Sequence, residues 1–262
     1  MPMTSDSTRD PHSEATPPGP WPYPRWIAHR GAGKLAPENT LVAFERGASY
    51  GYRMFECDVK LSADGEAFLL HDAELERTTS GRGLAGALAW ADLSRLDAGA
   101  WHSPAFAGEP LLHLDALAAW LQARGHAVNL EIKPTPGTER LTGEVVARRV
   151  AQLWADAEVK PLLSSFQPVA LAAARDAVPS LPRALLLTEW VPNAVALALD
   201  LGCVALVVQH AGLDAARIAE GHQAGVRMLT YTVNDEDRAK VLWAAGLDGL
   251  ITDRVDLFSP AP

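Results

Sequence analysis

From Trp26 onward the chain alternates short apolar runs with segments whose apolar residues recur every three to four positions. Runs of the first kind read as buried parallel strands and segments of the second as amphipathic helices, so the pattern is one of repeated strand-helix units. The strand candidates are WIAHRG from Trp26, MFECDVK from Met54, VNLEIK from Val128, VKPLLSSF from Val159, RALLLTE from Arg183, CVALVVQH from Cys203, VRMLTYTVN from Val226 and GLITD from Gly249. Between the first two, ENTLVAFERGASYG puts Leu41, Phe44 and Ala48 on one helical face, with Asn39 or Thr40 to cap its start and Gly51 to end it. Further helices are predicted over about residues 115–123, 138–154, 168–177, 192–199, 214–223 and 235–245. Eight strands with alternating helices predict an α/β fold, a closed (β/α)8 barrel of the TIM type over residues 25–258, with an open doubly wound sheet as the weaker alternative.

One interval breaks the rhythm. In LSADGEAFLL, Asp64 and Gly65 predict a tight turn that returns the chain beside the second strand. About forty residues, 72–114, then precede the next helix and read as an insertion, on the face of a barrel where βα loops carry active sites. WADLSRLDAG within it predicts a short helix. Trp101 and Phe106 can roof the barrel mouth or pack the insertion down, and packing is the expected role of each. Residues 1–24, rich in Ser, Thr and Pro, predict a disordered tail.

Composition narrows the function classes. Of 262 residues 48% are hydrophobic, enough for one large core. A net charge of −9, from 23 basic and 32 acidic residues, argues against a nucleic-acid partner, whose backbone demands broad positive surface. Cys57 and Cys203 lie in separate apolar runs and are expected to be buried thiols. No apolar run approaches the roughly 18 residues that suggest a membrane span. The start lacks a basic segment followed by an apolar one. No stable membrane insertion and a cytoplasmic location are therefore expected, and no feature specifies an oligomeric state.

The chemistry gathers at strand ends. Side chains alternate along a strand, so Glu56 and Asp58 share one face while Phe55, Cys57 and Val59 take the other. Two carboxylates on a buried face are costly unless a cation neutralises them, and a hard divalent ion, Mg²⁺ or Ca²⁺, suits such oxygen donors. A salt-bridged pair at a strand end is the structural alternative. In NLEIK, Glu131 and Lys133 share a face in the same way; Glu131 can complete a metal site, while Lys133 can bind a phosphate oxygen or pair with Glu131. His29 and Arg30 close the first strand before Gly31, and the predicted hairpin brings His71 near Glu56 and Asp58. Two imidazoles, three carboxylates and two cations at one rim suit metal-assisted phosphoryl chemistry, one histidine taking a proton as the other gives one.

HRGAGKLAPENT, the ECD triplet, DGEAFLLHD followed by RTTSGRG, and NLEIK resemble, in order and spacing, the motif series of the glycerophosphodiester phosphodiesterase family, over about Arg25 to Arg254. The resemblance implies a (β/α) barrel with His29 and His71 as the acid/base pair. It also implies that Glu56, Asp58 and Glu131 bind one divalent ion and that Arg30 and Lys133 contact the phosphate. The implied reaction is metal-dependent hydrolysis of a small glycerophosphodiester, such as glycerophosphocholine or glycerophosphoethanolamine, to glycerol 3-phosphate and an alcohol. The substrate's own 2-hydroxyl attacks, and water opens the cyclic phosphate. Phe166, in SSF, and Tyr231, where many relatives carry tryptophan, are similar to pocket-lining positions, with ordinary strand packing equally open. A lysophospholipase D-like activity on lysolipids and a non-catalytic phosphodiester-binding barrel are the alternatives. The insertion shows no long apolar patch for the first, and the full set of site residues argues against the second. His102, His113, His126, His210 and His222 match no motif and are expected to be structural or solvated.

Overall fold

The computed structural model describes residues 20–258 and residue 260. Its strands are β1 (Trp26–Ala28), β2 (Met54–Leu61), β3 (Ala67–Leu69), β4 (Ala127–Ile132), β5 (Leu162–Ser165), β6 (Arg183–Leu187), β7 (Ala205–Gln209), β8 (Arg227–Tyr231) and β9 (Gly249–Thr252). The helices between them are α1 (Leu41–Ser49), α2 (Trp90–Leu93), α3 (Leu114–Gln122), α4 (Glu139–Leu153), α5 (Pro168–Ala177), α6 (Ala194–Asp200), α7 (Ala215–Gln223) and α8 (Glu236–Ala244). Parallel pairing runs β1-β9-β8-β7-β6-β5-β4-β2, and Ala28 pairs with Phe55 to join β1 to β2. The eight strands are therefore closed into a barrel, as predicted, and the open sheet is excluded. β3 folds back antiparallel on β2, with Val59 opposite Leu69, which is the expected hairpin.

Alternation along the strands sorts the two sides of the barrel wall. Phe55, Cys57, Val59 and Leu61 of β2 point outward into the apolar layer beneath the helices, together with Phe44, Leu117 and Val146. Met54, two residues before Glu56, points inward and packs with Ile27, Leu162, Ala205, Val207, Leu229 and Ile251. The interior is thus apolar toward the strand starts and charged toward the strand ends. Because all eight strands run the same way, every charged end arrives at one rim. Cys57 and Cys203 are buried free thiols. Among the described residues no helix is long and apolar enough to cross a membrane.

Residues 1–19 of the predicted tail lie outside the described residues, but residues 20–24 depart from that expectation. Tyr23 is buried at the barrel base, donates its hydroxyl to the Lys160 carbonyl at 2.8 Å, and meets Trp21 edge-on at 4.7 Å. Two aromatic rings set among prolines bury enough apolar area to offset the entropy of ordering this short stretch.

The insertion has its own small core of Phe68, Leu70, Leu75, Leu93, Ala98 and Leu111. Trp101 donates its indole N–H to the Ala98 carbonyl and leans on His102, while Phe106 packs against the main core. Neither ring lines the mouth cavities, so both take the packing role. Three unassigned histidines are structural. His113 caps α3, His222 pairs with Asp248 at 2.7 Å, and His102 contacts the Lys34 carbonyl at 3.0 Å.

Candidate active site

The register of β2 and β4 sets Asp58 beside Glu131 and Glu56 beside Asn129. Their inward faces bring one oxygen each from Glu56, Asp58 and Glu131 within 4.8 Å of one another, all buried. Lys133 Nζ lies 2.7 Å from Glu131 and 3.5 Å from Asp58, so the pairing with Glu131 left open by the sequence is present. Arg30 Nε lies 3.4 Å from Asp58, and the Arg30 backbone N–H donates to Glu56 at 3.2 Å. That N–H is aimed inward because Arg30 sits at φ 50 and Gly31 at φ 99, where the chain turns sharply off β1. A Cβ on Gly31 would fall 2.8 Å from that of Ala43, so only glycine lets α1 pack this close.

Three carboxylates against two permanent cations leave the cluster short of positive charge. Burial, reinforced by Asp58 and Glu131, raises the Glu56 carboxyl well above its usual range. Burial and the same Asp58 push Glu131 up to about 7. Burial also opposes the charge on Asp58, but Arg30 and Lys133 hold that carboxyl below the usual range. Asp58 Oδ1 is nonetheless buried without a hydrogen-bond partner. An oxygen-rich, charge-deficient cluster with a carboxylate oxygen that accepts no hydrogen bond fits a hard divalent cation.

Both histidines have one ring nitrogen tied down. His29 Nδ1 is 2.6 Å from Asp253, which Asn234 holds through its amide N–H at 2.9 Å, and His29 Nε2 lies 3.7 Å from Glu56. His71 Nδ1 is 2.6 Å from Asp72, whose other oxygen accepts from Arg77. Burial lowers the pKa of His71 and so favours its neutral form, with Nδ1 engaged by Asp72. His29, Arg30, Glu56, His71, Glu131, Lys133, Phe166 and Tyr231 all line one inner cavity of about 160 Å³. Phe166 and Tyr231 meet edge-on at 5.7 Å, and the tyrosine hydroxyl donates to the Leu187 carbonyl. The structure thus brings together all nine predicted site residues.

Several residues in the site carried no role in the sequence. Asn39 does not cap α1: at φ 61 its amide donates to Asp58 at 2.9 Å and its carbonyl accepts the Asp58 N–H. Glu38 accepts from Arg30 at 2.8 Å and from both terminal nitrogens of Arg77. The APENT and RTT segments were the available signal for these contacts. Asn129 opens the NLEIK run, lines the inner cavity and is buried with both amide atoms unpartnered. Lys60, two residues past Asp58 on the same face, is buried with its ammonium 2.9 Å from the Lys133 carbonyl. Burial pushes its pKa down to about 8.

Comparison with known proteins agrees with this geometry. A phosphodiesterase from Oleispira antarctica, solved in complex with the product sn-glycerol-3-phosphate, is 31% identical; the match covers 88% of this chain and 93% of that one at a TM-score of 0.82. A glycerophosphodiester phosphodiesterase structure from Agrobacterium tumefaciens str. C58 is 26% identical over 91% of this chain and 100% of its own, at a TM-score of 0.77. The glycerophosphodiester phosphodiesterase of Caldanaerobacter subterraneus subsp. tengcongensis is 29% identical over 87% of this chain and 93% of its own length. The sequence profile of the glycerophosphoryl diester phosphodiesterase family matches residues 29–257, from the first site histidine past the last strand, so the chain belongs to that family and is a phosphodiesterase.

Proposed function

We propose that the enzyme hydrolyses small glycerophosphodiesters to glycerol 3-phosphate and an alcohol, with one divalent ion, Mg²⁺ or Ca²⁺, held by Glu56, Asp58 and Glu131. The observation that carries this reading is the buried carboxylate cluster, its oxygens within 4.8 Å, in a cavity that two carboxylate-oriented imidazoles share. The product in the Oleispira antarctica relative supports the glycerol phosphate half of the assignment. Such an ion supplies positive charge against phosphate oxygens as negative charge develops on them.

The chain's own groups do the rest. Arg30 and Lys133 present cations to the phosphate, preorganised by Glu38, Asp58 and Glu131. Asn129 offers an unpartnered amide to the glycerol in the cavity that Phe166 and Tyr231 also line. One imidazole Nε2 takes the proton of the glycerol 2-hydroxyl as its oxygen bonds to phosphorus. The other protonates the departing alkoxide as the old P–O bond breaks. The exchanged roles then let water open the cyclic phosphate. Holding an intramolecular nucleophile in line supplies roughly 7 kcal/mol or more of the barrier, and acid/base transfer adds roughly 10²- to 10⁴-fold.

The test is release of glycerol 3-phosphate from glycerophosphocholine with Mg²⁺ or Ca²⁺. Release is expected to stop with EDTA and in Glu56→Gln, and full activity in a chelated sample would sink the metal assignment. The 2-deoxy substrate should bind and stay intact; its rapid turnover would replace the cyclic intermediate with direct attack by water.

A further inference from the structure

A phosphodiester extends on both sides of its phosphorus, and the inner cavity accommodates one side. A second, outer cavity of about 510 Å³ adjoins it, sharing His71, Glu131, Lys133 and Phe166 but not His29, Arg30 or Glu56. Four residues that line the outer cavity and not the inner one set its chemistry. Lys60 is 1% exposed, and its ammonium makes one hydrogen bond, to the Lys133 carbonyl, leaving two N–H donors to spare. Glu139, the first residue of α4, accepts the Gly137 N–H through Oε1 and keeps Oε2 available. Gln167 adds an amide at the rim, and Asp72 is already engaged by His71 and Arg77.

This set recognises hydroxyl groups. A polyol both donates and accepts, and a buried ammonium with spare donors is satisfied by its oxygens, whereas an apolar or purely cationic group leaves those donors unpaired. A trimethylammonium group needs aromatic faces. Phe166 is the one Phe, Tyr or Trp ring that lines the outer cavity, and Lys133 Nζ already stands 5.4 Å from its centre. We propose that the outer cavity is a leaving-alcohol subsite in which Lys60 and Glu139 bind a polyhydroxylated alcohol such as glycerol or inositol in preference to choline. The proposal rests on the glycerophosphodiester reading above and specifies the half of the substrate that reading leaves open.

The experiment compares kcat/KM for glycerophosphoglycerol, glycerophosphoinositol and glycerophosphocholine, in the wild type and in Lys60→Met and Glu139→Gln. The wild type is expected to favour the polyol diesters at least about tenfold, the scale of one hydrogen bond to a charged group. Lys60→Met, checked for folding by circular dichroism, is expected to reduce that preference about tenfold, mainly through KM. If Lys60→Met does not fold, the wild-type ratio together with a reduced ratio in Glu139→Gln decides. Equal turnover of polyol and choline diesters, or a preference that survives both substitutions, overturns the subsite alone. Turnover of none of the three overturns the functional reading and the subsite with it.

Discussion

His29 and Asp253 are 224 positions apart in sequence and 2.6 Å apart in space. Burial opposes a charge on Asp253, but the hydrogen bond and charge of His29 outweigh it and hold that carboxyl down at about 2, against an ordinary 3.8. A folded-state pKa below the unfolded one stabilises above the unfolded value, and the gain disappears as pH falls through the folded value. The shift corresponds to about 2 kcal/mol, present above roughly pH 4 and lost near pH 2. Asp253→Asn is therefore expected to be about 2 kcal/mol less stable than wild type in urea unfolding at pH 7, with the gap closing below pH 4; a gap independent of pH would contradict the linkage. The same substitution frees the His29 tautomer and should lower kcat by roughly a hundredfold with little change in KM. Strand alternation made the inward pointing of Glu56, Asp58, Glu131 and Lys133 legible from local sequence. The partner of His29 was not, because it depends on which strand closes the barrel against β1.

The loops after β1 and β3 are joined by an ion chain running from His71 through Asp72, Arg77 and Glu38 to Arg30 and Asp58. Arg77 is its middle link, binding Glu38 through both terminal nitrogens and Asp72 through Nε. Its hydrogen bonds are the chief cause that holds Asp72 down at about 2. Arg77→Met leaves Asp72 to titrate nearer the ordinary carboxylate range, and the orientation of His71 by an ionised Asp72 is then lost at higher pH. The expected result is a kcat at least about tenfold lower and an acid limb of the pH-rate profile displaced upward. Arg77→Lys, which keeps the charge but not the planar fork, should recover part of the rate. A profile unchanged in shape would reduce Arg77 to a structural brace. The elements that carry these loops followed from apolar periodicity, since every predicted strand and long helix is present. The packing of Trp21 and Tyr23 before β1 was not legible, because the Ser, Thr and Pro around them dominate the local composition.

For the molecule as a whole, closure of the sheet concentrates the excess of carboxylate at one point. In an open sheet Arg30, at the end of β1, would not meet Asp58 of β2, and Asp253, after β9, would not meet His29. The order of strands and the four motif segments made that closure legible, while the balance of charge inside the rim depends on burial that sequence does not display. Glu131 keeps its proton up to about pH 7 because burial and Asp58 oppose its ionisation. A divalent ion seated among Glu56, Asp58 and Glu131 favours the ionised carboxylates, so its uptake below pH 7 must expel a proton. Affinity for Mg²⁺ or Ca²⁺ should accordingly weaken as pH falls from 8 to 6. Glu56, raised by the same burial, adds to this release, so calorimetric titrations in two buffers of different ionisation enthalpy should show more proton release at pH 6 than at pH 8. At 100 times the dissociation constant the ion is also expected to stabilise the barrel by about 2.7 kcal/mol, visible as a rise in Tm that EDTA reverses. Binding without proton release at pH 6 would mean that Glu56 and Glu131 are both already ionised, and the positive charge that keeps them so would have to be found elsewhere at the rim.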